Sequence, residues 1–290
     1  MSTITGHTGL TALLGSPVAH SISPLMHNEA FRLLELDYVY LCFDVNEETL
    51  PAAVAGLKTC GIRGFNLTMP NKNKIVELLD ELSPEAQLIG AVNTVLNDNG
   101  KLIGYNTDGY GFMQSVRDAG HDITGKNITV MGVGGASMAI CAQSALDGAA
   151  SVHIFARRTS RYWNRTQKFA ENLSAKTGCQ VCLFDNDDHT ALRDSIAQSY
   201  LLINATSVGM VPDIDDTIIK DTSLFHPELV VADVVYEPQE TRLLREAKAA
   251  GCQTFNGMYM LLHQGAKAFQ IWTGQEMPVS VIKEKYFSVK

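Results

Sequence analysis

The chain has 290 residues and a formal net charge of −8, with 46% hydrophobic and 19% charged residues. That length favours one or two domains with a large buried core, and that balance is ordinary for a globular protein. The negative charge gives no electrostatic support to a nucleic-acid partner, and no apolar stretch is long enough to span a bilayer. Met1-Ser2-Thr3-Ile4-Thr5-Gly6 lacks a basic start followed by an apolar run, so it does not read as a signal peptide and a cytoplasmic location is expected.

Short apolar runs alternate with helical patterns along the chain, which predicts a parallel α/β architecture. Residues 11–15 read as the first strand. Ser23 and Pro24 follow as an N-cap and first helical residue, opening a helix to about Leu34. Residues 38–43 read as a strand, 48–57 as a helix, 64–67 as a strand and 74–79 as a helix. Residues 91–96 and 101–105 flank the turn Asn97-Asp98-Asn99-Gly100, whose chemistry predicts a hairpin. Residues 108–119 read as a helix with Asp108 near its start. The polar stretch 120–126 is a plausible seam, followed by a βαβ unit: strand 128–133, helix 136–146, strand 151–155. Further strands are expected at 201–204, 229–233 and 253–255. The closing helices, 258–273 and 279–286, could return to cover the first domain.

The cysteines are Cys42, Cys60, Cys141, Cys179, Cys182 and Cys252. Cys179 and Cys182 form a C-x-x-C, but only His189 lies near as a further ligand, and the motif sits in an apparent strand rather than opening a helix. Reduced cysteines and no metal are expected.

Three constellations carry chemistry. Gly132-Val133-Gly134-Gly135-Ala136 follows an apolar strand and precedes a small-residue helix start. Glycines there permit a tight turn and let backbone N–H groups approach a pyrophosphate. The third glycine of the usual pattern is replaced by Ser137. The end of the next strand, Ala156-Arg157-Arg158-Thr159-Ser160-Arg161, has no acidic residue for a ribose 2′-hydroxyl and offers arginines suited to a 2′-phosphate. A solvated basic loop would have the same composition. NADP is therefore the expected cofactor, with some NAD activity allowed.

The third constellation is polar. Ser21 and Ser23 precede a helix start, where hydroxyls and N–H groups suit a carboxylate, although each could simply cap or line the loop. Thr68, Asn93, Asn106 and Thr107 stand at strand ends, where α/β proteins bind ligands. Lys72 follows the Pro70-Asn71 turn, and Asp108 follows Asn106-Thr107. Alone, the lysine would be a surface residue and the aspartate a cap. Beside a redox cofactor they suggest proton transfer coupled to hydride transfer on a hydroxylated substrate.

In sequence order, Gly15-Ser16-Pro17, His20 to Pro24, Asn66 to Lys72, Gly90 to Thr94, Gly104 to Gly109, Gly132 to Ala136, Asn204 to Met210, Gly257-Met258 and Gln264-Gly265-Ala266 resemble the shikimate dehydrogenase family, particularly its shikimate/quinate branch. The resemblance implies a Rossmann-type NAD(P)-binding domain at about 108–256. It also implies an α/β substrate domain, 1–107, completed by helices 257–290, with the active site in the cleft between the two. It implies reversible reduction of 3-dehydroshikimate to shikimate in aromatic amino acid (chorismate) biosynthesis, with quinate as an alternative substrate. By the same resemblance Lys72 and Asp108 are catalytic, and Ser21 and Ser23 hold the carboxylate. Thr68, Asn93, Thr107, Asp108, Tyr236 and Gln264 complete the substrate site. Gly132, Val133, Gly134, Gly135, Ala136, Ala156, Arg157, Arg158, Thr159, Thr206, Ser207, Val234 and Gly257 bind the cofactor. Two departures stand out: Ala156-Arg157-Arg158-Thr159 where NADP-preferring members carry Asn-Arg-Thr, and Val133 where alanine is more usual. A non-catalytic NAD(P)-binding regulator is the alternative from another class, disfavoured by the presence of both Lys72 and Asp108. A monomer or homodimer is expected.

Overall fold

The computed structural model describes residues 4–287. The chain divides into two compact units, residues 4–107 with 262–287, and residues 108–261.

The first unit is built on β1 (Gly9–Gly15), β2 (Tyr38–Asp44), β3 (Gly64–Leu67), β4 (Glu81–Leu82), β5 (Thr94–Asp98) and β6 (Lys101–Tyr105). Their order across the sheet is β2-β1-β3-β5-β6-β4. The pair β1–β2 and the pair β1–β3 are parallel, and β5 runs antiparallel to both β3 and β6. The β5–β6 hairpin forms where the turn residues predict it, with Asn99 and Gly100 both left-handed at φ 52° and 92°. Residues 91–93 stay outside the strand. Their N–H groups are used elsewhere, Val92 donating to the Lys72 carbonyl at 2.8 Å and Asn93 to that of Tyr105 at 3.1 Å. Helix α1 (Ser23–Leu33) starts one residue earlier than predicted: Ser23 is its first helical residue, and the Ser21 hydroxyl accepts the Ser23 N–H at 3.2 Å. Ser23 is thus not a cap. Helices α2 (Leu50–Thr59) and α3 (Pro84–Ile89) complete the crossovers, and 74–79 shortens to a single 3₁₀ turn, Lys74–Leu78. One face of the sheet packs Leu14, Leu50, Ile62, Phe65, Ile75 and Val95.

The second unit opens with α4 (Asp108–Asp118) and continues as β7 (Asn127–Met131), α5 (Gly135–Leu146), β8 (Ser151–Ala156), α6 (Trp163–Thr177), β9 (Gln180–Asp185), α7 (His189–Gln198), β10 (Leu201–Asn204), β11 (Val230–Asp233), α8 (Arg242–Ala249) and β12 (Gln253–Asn256). All neighbouring strands are parallel, in the order β9-β8-β7-β10-β11-β12. This is the doubly wound Rossmann order, which reverses direction between β7 and β10 and leaves a ligand crevice at the carboxyl ends of those strands. Met131, Phe155, Leu202, Val231 and Leu244 fill one core layer.

The division between units falls inside α9 (Met258–Thr273), which is followed by α10 (Val279–Tyr286). From Leu262 onward α9 belongs to the first unit. Trp272 is 1% exposed, and its indole N–H donates to the Val95 carbonyl at 3.0 Å. The Arg63 guanidinium donates to the Trp272 carbonyl at 2.7 Å. No helix among the described residues is long and apolar enough to cross a membrane. No group of three or more His, Cys, Asp or Glu among them could hold a metal ion, and the six cysteines are free thiols.

His27, on α1, is fully buried, stacked on Tyr40 at 4.4 Å and flanked by Trp272 and Phe269. Neither ring nitrogen has a hydrogen-bond partner, and burial lowers its pKa from 6.5 to about 3. The native ring is neutral, while the unfolded chain binds a proton below about pH 6.5. The stability this gives is complete above the unfolded value and is lost as pH falls toward 3, at up to about 1.4 kcal/mol per pH unit. Between pH 7 and pH 5 the parent protein should lose about 2 kcal/mol more stability than a His27→Phe variant. Urea unfolding of both at both pH values checks this, and parallel losses would place the acid sensitivity elsewhere.

Candidate active site

In the first unit the polar groups gather at the carboxyl ends of β1 and β3 and around the start of β5. Strand β3 ends at Leu67, and Thr68 turns out of the sheet with its N–H still bonded to the Leu14 carbonyl at 3.1 Å. Asn71 is fully buried and donates its amide to the Val45 carbonyl at 2.7 Å. With the Val92 bond to its carbonyl, this fixes the backbone of Lys72, whose side chain is half-buried.

A chain of buried hydrogen bonds runs behind this turn. The Tyr40 hydroxyl donates to Asn66 Oδ1 at 2.9 Å. Asn66 Nδ2 donates to the Asn93 carbonyl at 3.1 Å and to Thr94 Oγ1 at 2.9 Å. Thr94 Oγ1 donates to Asn93 Oδ1 at 3.0 Å, and so does the Thr107 N–H at 2.8 Å. Asn93 Nδ2 points to Thr107 Oγ1 at 2.9 Å and to Gln264 Oε1 at 3.5 Å. The Ser23 hydroxyl faces the Tyr40 phenol, which burial nonetheless holds well above its usual pKa. The structure therefore brings Ser23, Asn93, Thr107 and Gln264 into one network. Tyr40 and Thr94 are members the sequence did not disclose, because Asn66, which joins them, lies 26 and 28 residues away and no local motif marks the link.

In the second unit Asp108 is buried in the first turn of α4, where the helix N-terminus favours a carboxylate. The glycine turn follows β7. Gly132 has φ 111°, and a Cβ there would lie 2.8 Å from Thr206 Cγ2, so the fold itself requires that glycine. Gly134 and Gly135 differ, since a Cβ on either meets no protein atom within 4 Å. The open space beside them, at the N-terminus of α5, fits a dinucleotide pyrophosphate. Ser137, in the third glycine position, is fully buried and donates to the Gly132 carbonyl at 2.6 Å, so its side chain folds back onto the turn.

Strand β8 ends at the buried Ala156, and Arg157, Arg158 and Thr159 of the following loop are exposed. The Arg158 guanidinium lies 4.7 Å from the Trp163 ring centroid, and Arg161 lies at the same distance over Tyr162. Past β10, Thr206 donates to Asn204 Oδ1 at 2.6 Å, while Asn204 Nδ2 donates to Asp233 Oδ1 at 3.0 Å. Burial raises the Asp233 pKa, opposed by hydrogen bonds from Thr241, the Val235 N–H and Asn204. This buried carboxylate, which the sequence reading passed over, ties the loops after β10 and β11 together. Val234 donates its N–H to the Asn204 carbonyl, and a Cβ on Gly257 would come within 2.2 Å of the Val234 carbonyl oxygen. Ser207 and Tyr236 are exposed on these loops.

A doubly wound sheet with this turn at its switch point, in a chain with a second α/β unit, defines a dinucleotide-dependent oxidoreductase of the Rossmann class. A family described as the shikimate dehydrogenase substrate binding domain matches residues 13–95, and the shikimate 5'-dehydrogenase C-terminal domain matches residues 257–285. The NADP(+)-dependent shikimate dehydrogenase of Listeria innocua is 52% identical over 98% of this chain and 97% of its own length. The crystal structure of shikimate 5-dehydrogenase from Listeria monocytogenes, in complex with shikimate and NAD, is similar with a TM-score of 0.95, 51% identity and 98% of each chain covered. Quinate dehydrogenase from Corynebacterium glutamicum, in complex with NAD, has a TM-score of 0.85 and 31% identity, with 97% of this chain and 99% of that chain covered. The chain belongs to the shikimate dehydrogenase family.

The glycine turn gives a two-sided expectation. Gly135→Ala should leave the melting temperature unchanged or slightly raised, because the new methyl meets no protein atom and alanine favours the helix. The same methyl should raise the cofactor KM at least several-fold. Gly132→Ala should instead lower the melting temperature. Calorimetry and cofactor titration of both variants check this, and an unaltered cofactor KM in Gly135→Ala would remove that glycine from the site.

Proposed function

We propose that this protein catalyses the reversible NADP(H)-linked reduction of 3-dehydroshikimate to shikimate, a cytoplasmic step of aromatic amino acid biosynthesis. The observation that carries the reading is the half-buried Lys72 on a backbone pinned by Val92 and Asn71. Bound NADPH supplies the hydride to the carbonyl carbon. The Lys72 ammonium gives a proton to the carbonyl oxygen as negative charge develops there, and takes it back in the oxidative direction. Asp108, at the start of α4, accepts hydrogen bonds from ring hydroxyls. Ser21 and Ser23 hold the ring carboxylate, which keeps its charge throughout. Thr68, Asn93, Thr107, Gln264 and Tyr236 contact the rest of the substrate. Residues 132–136 carry the pyrophosphate, and Ala156 to Thr159 the adenosine end. Thr206, Ser207, Val234 and Gly257 border the cofactor on its nicotinamide side. The greater likeness to shikimate dehydrogenases than to the quinate enzyme favours shikimate as the substrate.

Lys72→Ala should lower kcat by about 10²–10⁴-fold, the range of general acid–base assistance, with little change in shikimate KM. Steady-state kinetics with shikimate and quinate decide both points, and near-normal turnover would remove Lys72 from the chemistry.

Cofactor choice is tested on the β8 loop. NADP should be preferred over NAD by kcat/KM, and Arg157→Ala or Arg158→Ala should lose that preference while NAD-linked activity changes little. A parent enzyme that already favours NAD would leave these arginines as stacking or solvated groups.

A further inference from the structure

The carboxyl ends of β8 and β9 form one continuous edge. Ala156 lies opposite Asp185 in the pairing of the two strands, and the Asn186 N–H continues the ladder by donating to the Ala156 carbonyl at 2.9 Å. The chain then turns. The Asp188 N–H donates to the Asp185 carbonyl at 3.1 Å, and the Asp187 N–H to Asp185 Oδ1 at 3.2 Å. The backbone of Asn186 is therefore held beside the strand end that opens the arginine loop. Its side chain is not satisfied in the same way. Asn186 Oδ1 is inaccessible to solvent, and no donor among the described residues reaches it. A buried amide oxygen without a donor is costly and uncommon, and at a ligand-binding edge it is explained by a donor that the ligand brings.

We propose that Asn186 is a specificity-determining residue for the cofactor: its Oδ1 accepts a hydrogen bond from the exocyclic amine of the adenine ring. This deepens the proposed function and rests on the dinucleotide lying along residues 132–136 and 156–159. Neighbouring strands are about 4.8 Å apart, and the order β7-β8-β9 runs outward from the glycine turn. A dinucleotide with its pyrophosphate at the β7 turn and its adenosine ribose at the β8 loop has its base directed toward the end of β9. The chemistry selects the amine. Phosphate oxygens accept hydrogen bonds at neutral pH and suit the arginines. The ribose hydroxyls lie one strand nearer the glycine turn. The exocyclic amine is the N–H donor of the adenine edge, and an amide oxygen is a fitting acceptor for it.

The probe is nicotinamide hypoxanthine dinucleotide phosphate, which carries a carbonyl oxygen where NADP has the adenine amine. Titration calorimetry gives the dissociation constants of both cofactors for the parent protein, Asn186→Ala, Asn186→Asp and Gly135→Ala. The parent should bind NADP about 3–10-fold more tightly than the probe, in line with one neutral hydrogen bond. Asn186→Ala should erase that preference by weakening NADP alone, and Asn186→Asp, which keeps an acceptor, should retain it. Equal affinity of the parent for both cofactors, or an unchanged preference in Asn186→Ala, overturns the proposal. A parent that prefers the hypoxanthine cofactor overturns it too, since the amide would then present its NH₂ to the base. Gly135→Ala separates this inference from the reading it rests on, and should weaken both cofactors while keeping their ratio. If it weakens neither, the dinucleotide does not lie on the glycine turn and both fail together. If it weakens both while the Asn186 variants change nothing, only the base contact fails.

Discussion

A polar side chain taken out of water at the end of a parallel strand must satisfy its hydrogen bonds inside the protein, and this constraint shapes both units. Desolvating an amide or carboxylate without partners costs more than most packing contacts return. Asn66 in β3, Asn204 at the end of β10 and Asp233 at the end of β11 are each nearly inaccessible to solvent. Each meets the demand by reaching across to the next strand or loop: Asn66 to Tyr40 and Thr94, and Asn204 and Asp233 to one another and to Thr206, Val235 and Thr241. The result is that loops which would otherwise be mobile connections are held by buried bonds at the edge where α/β sheets bind ligands.

The C-terminal segment obeys a similar logic in the first unit. Trp272 fills the space over Gly64, where an added Cβ would fall 2.3 Å from the indole nitrogen. The indole N–H and the Arg63 guanidinium then seal two backbone carbonyls, those of Val95 and Trp272. Because α9 is rigid, fixing Trp272 also fixes Gln264, eight residues earlier and about two turns away. That places Gln264 Oε1 within reach of the Asn93 amide. A residue remote in sequence thus enters the polar network through the packing of an indole.

The sequence was readable where chemistry is local. The left-handed Asn99-Gly100 turn, the glycine turn after β7 and the alternation of strand and helix all rest on neighbouring residues, and the Rossmann layout followed from them. Boundaries were less readable. Pro24 marked the start of α1, but Ser23 is already helical and the helix has no side-chain cap; the Ser21 hydroxyl only accepts the Ser23 N–H. Helices α6, α7 and α8 went unread. The start of α6 at Trp163 has no side-chain cap, and its exposed face is polar enough to resemble loop. The buried bonds Tyr40–Asn66 and Asn66–Thr94 left no trace at all, because they join residues 26 and 28 positions apart whose register exists only once the sheet is paired.

Charge shows the same division between what is summed and what is placed. The chain carries a net −8, yet the ligands of its family are a carboxylate and a dinucleotide, both anionic. Long-range attraction cannot draw them in, so binding depends on donors fixed at short range. The proposed donors are backbone N–H groups at the starts of α1 and α5, hydroxyls with buried partners, and the arginines of the β8 loop. Arg158 illustrates the proposed arrangement: with its guanidinium against the Trp163 ring, it would have fewer rotamers to lose on meeting an anion. An acidic protein can in this way recognise acidic ligands, because ordering its few cations and dipoles beforehand matters more than their number.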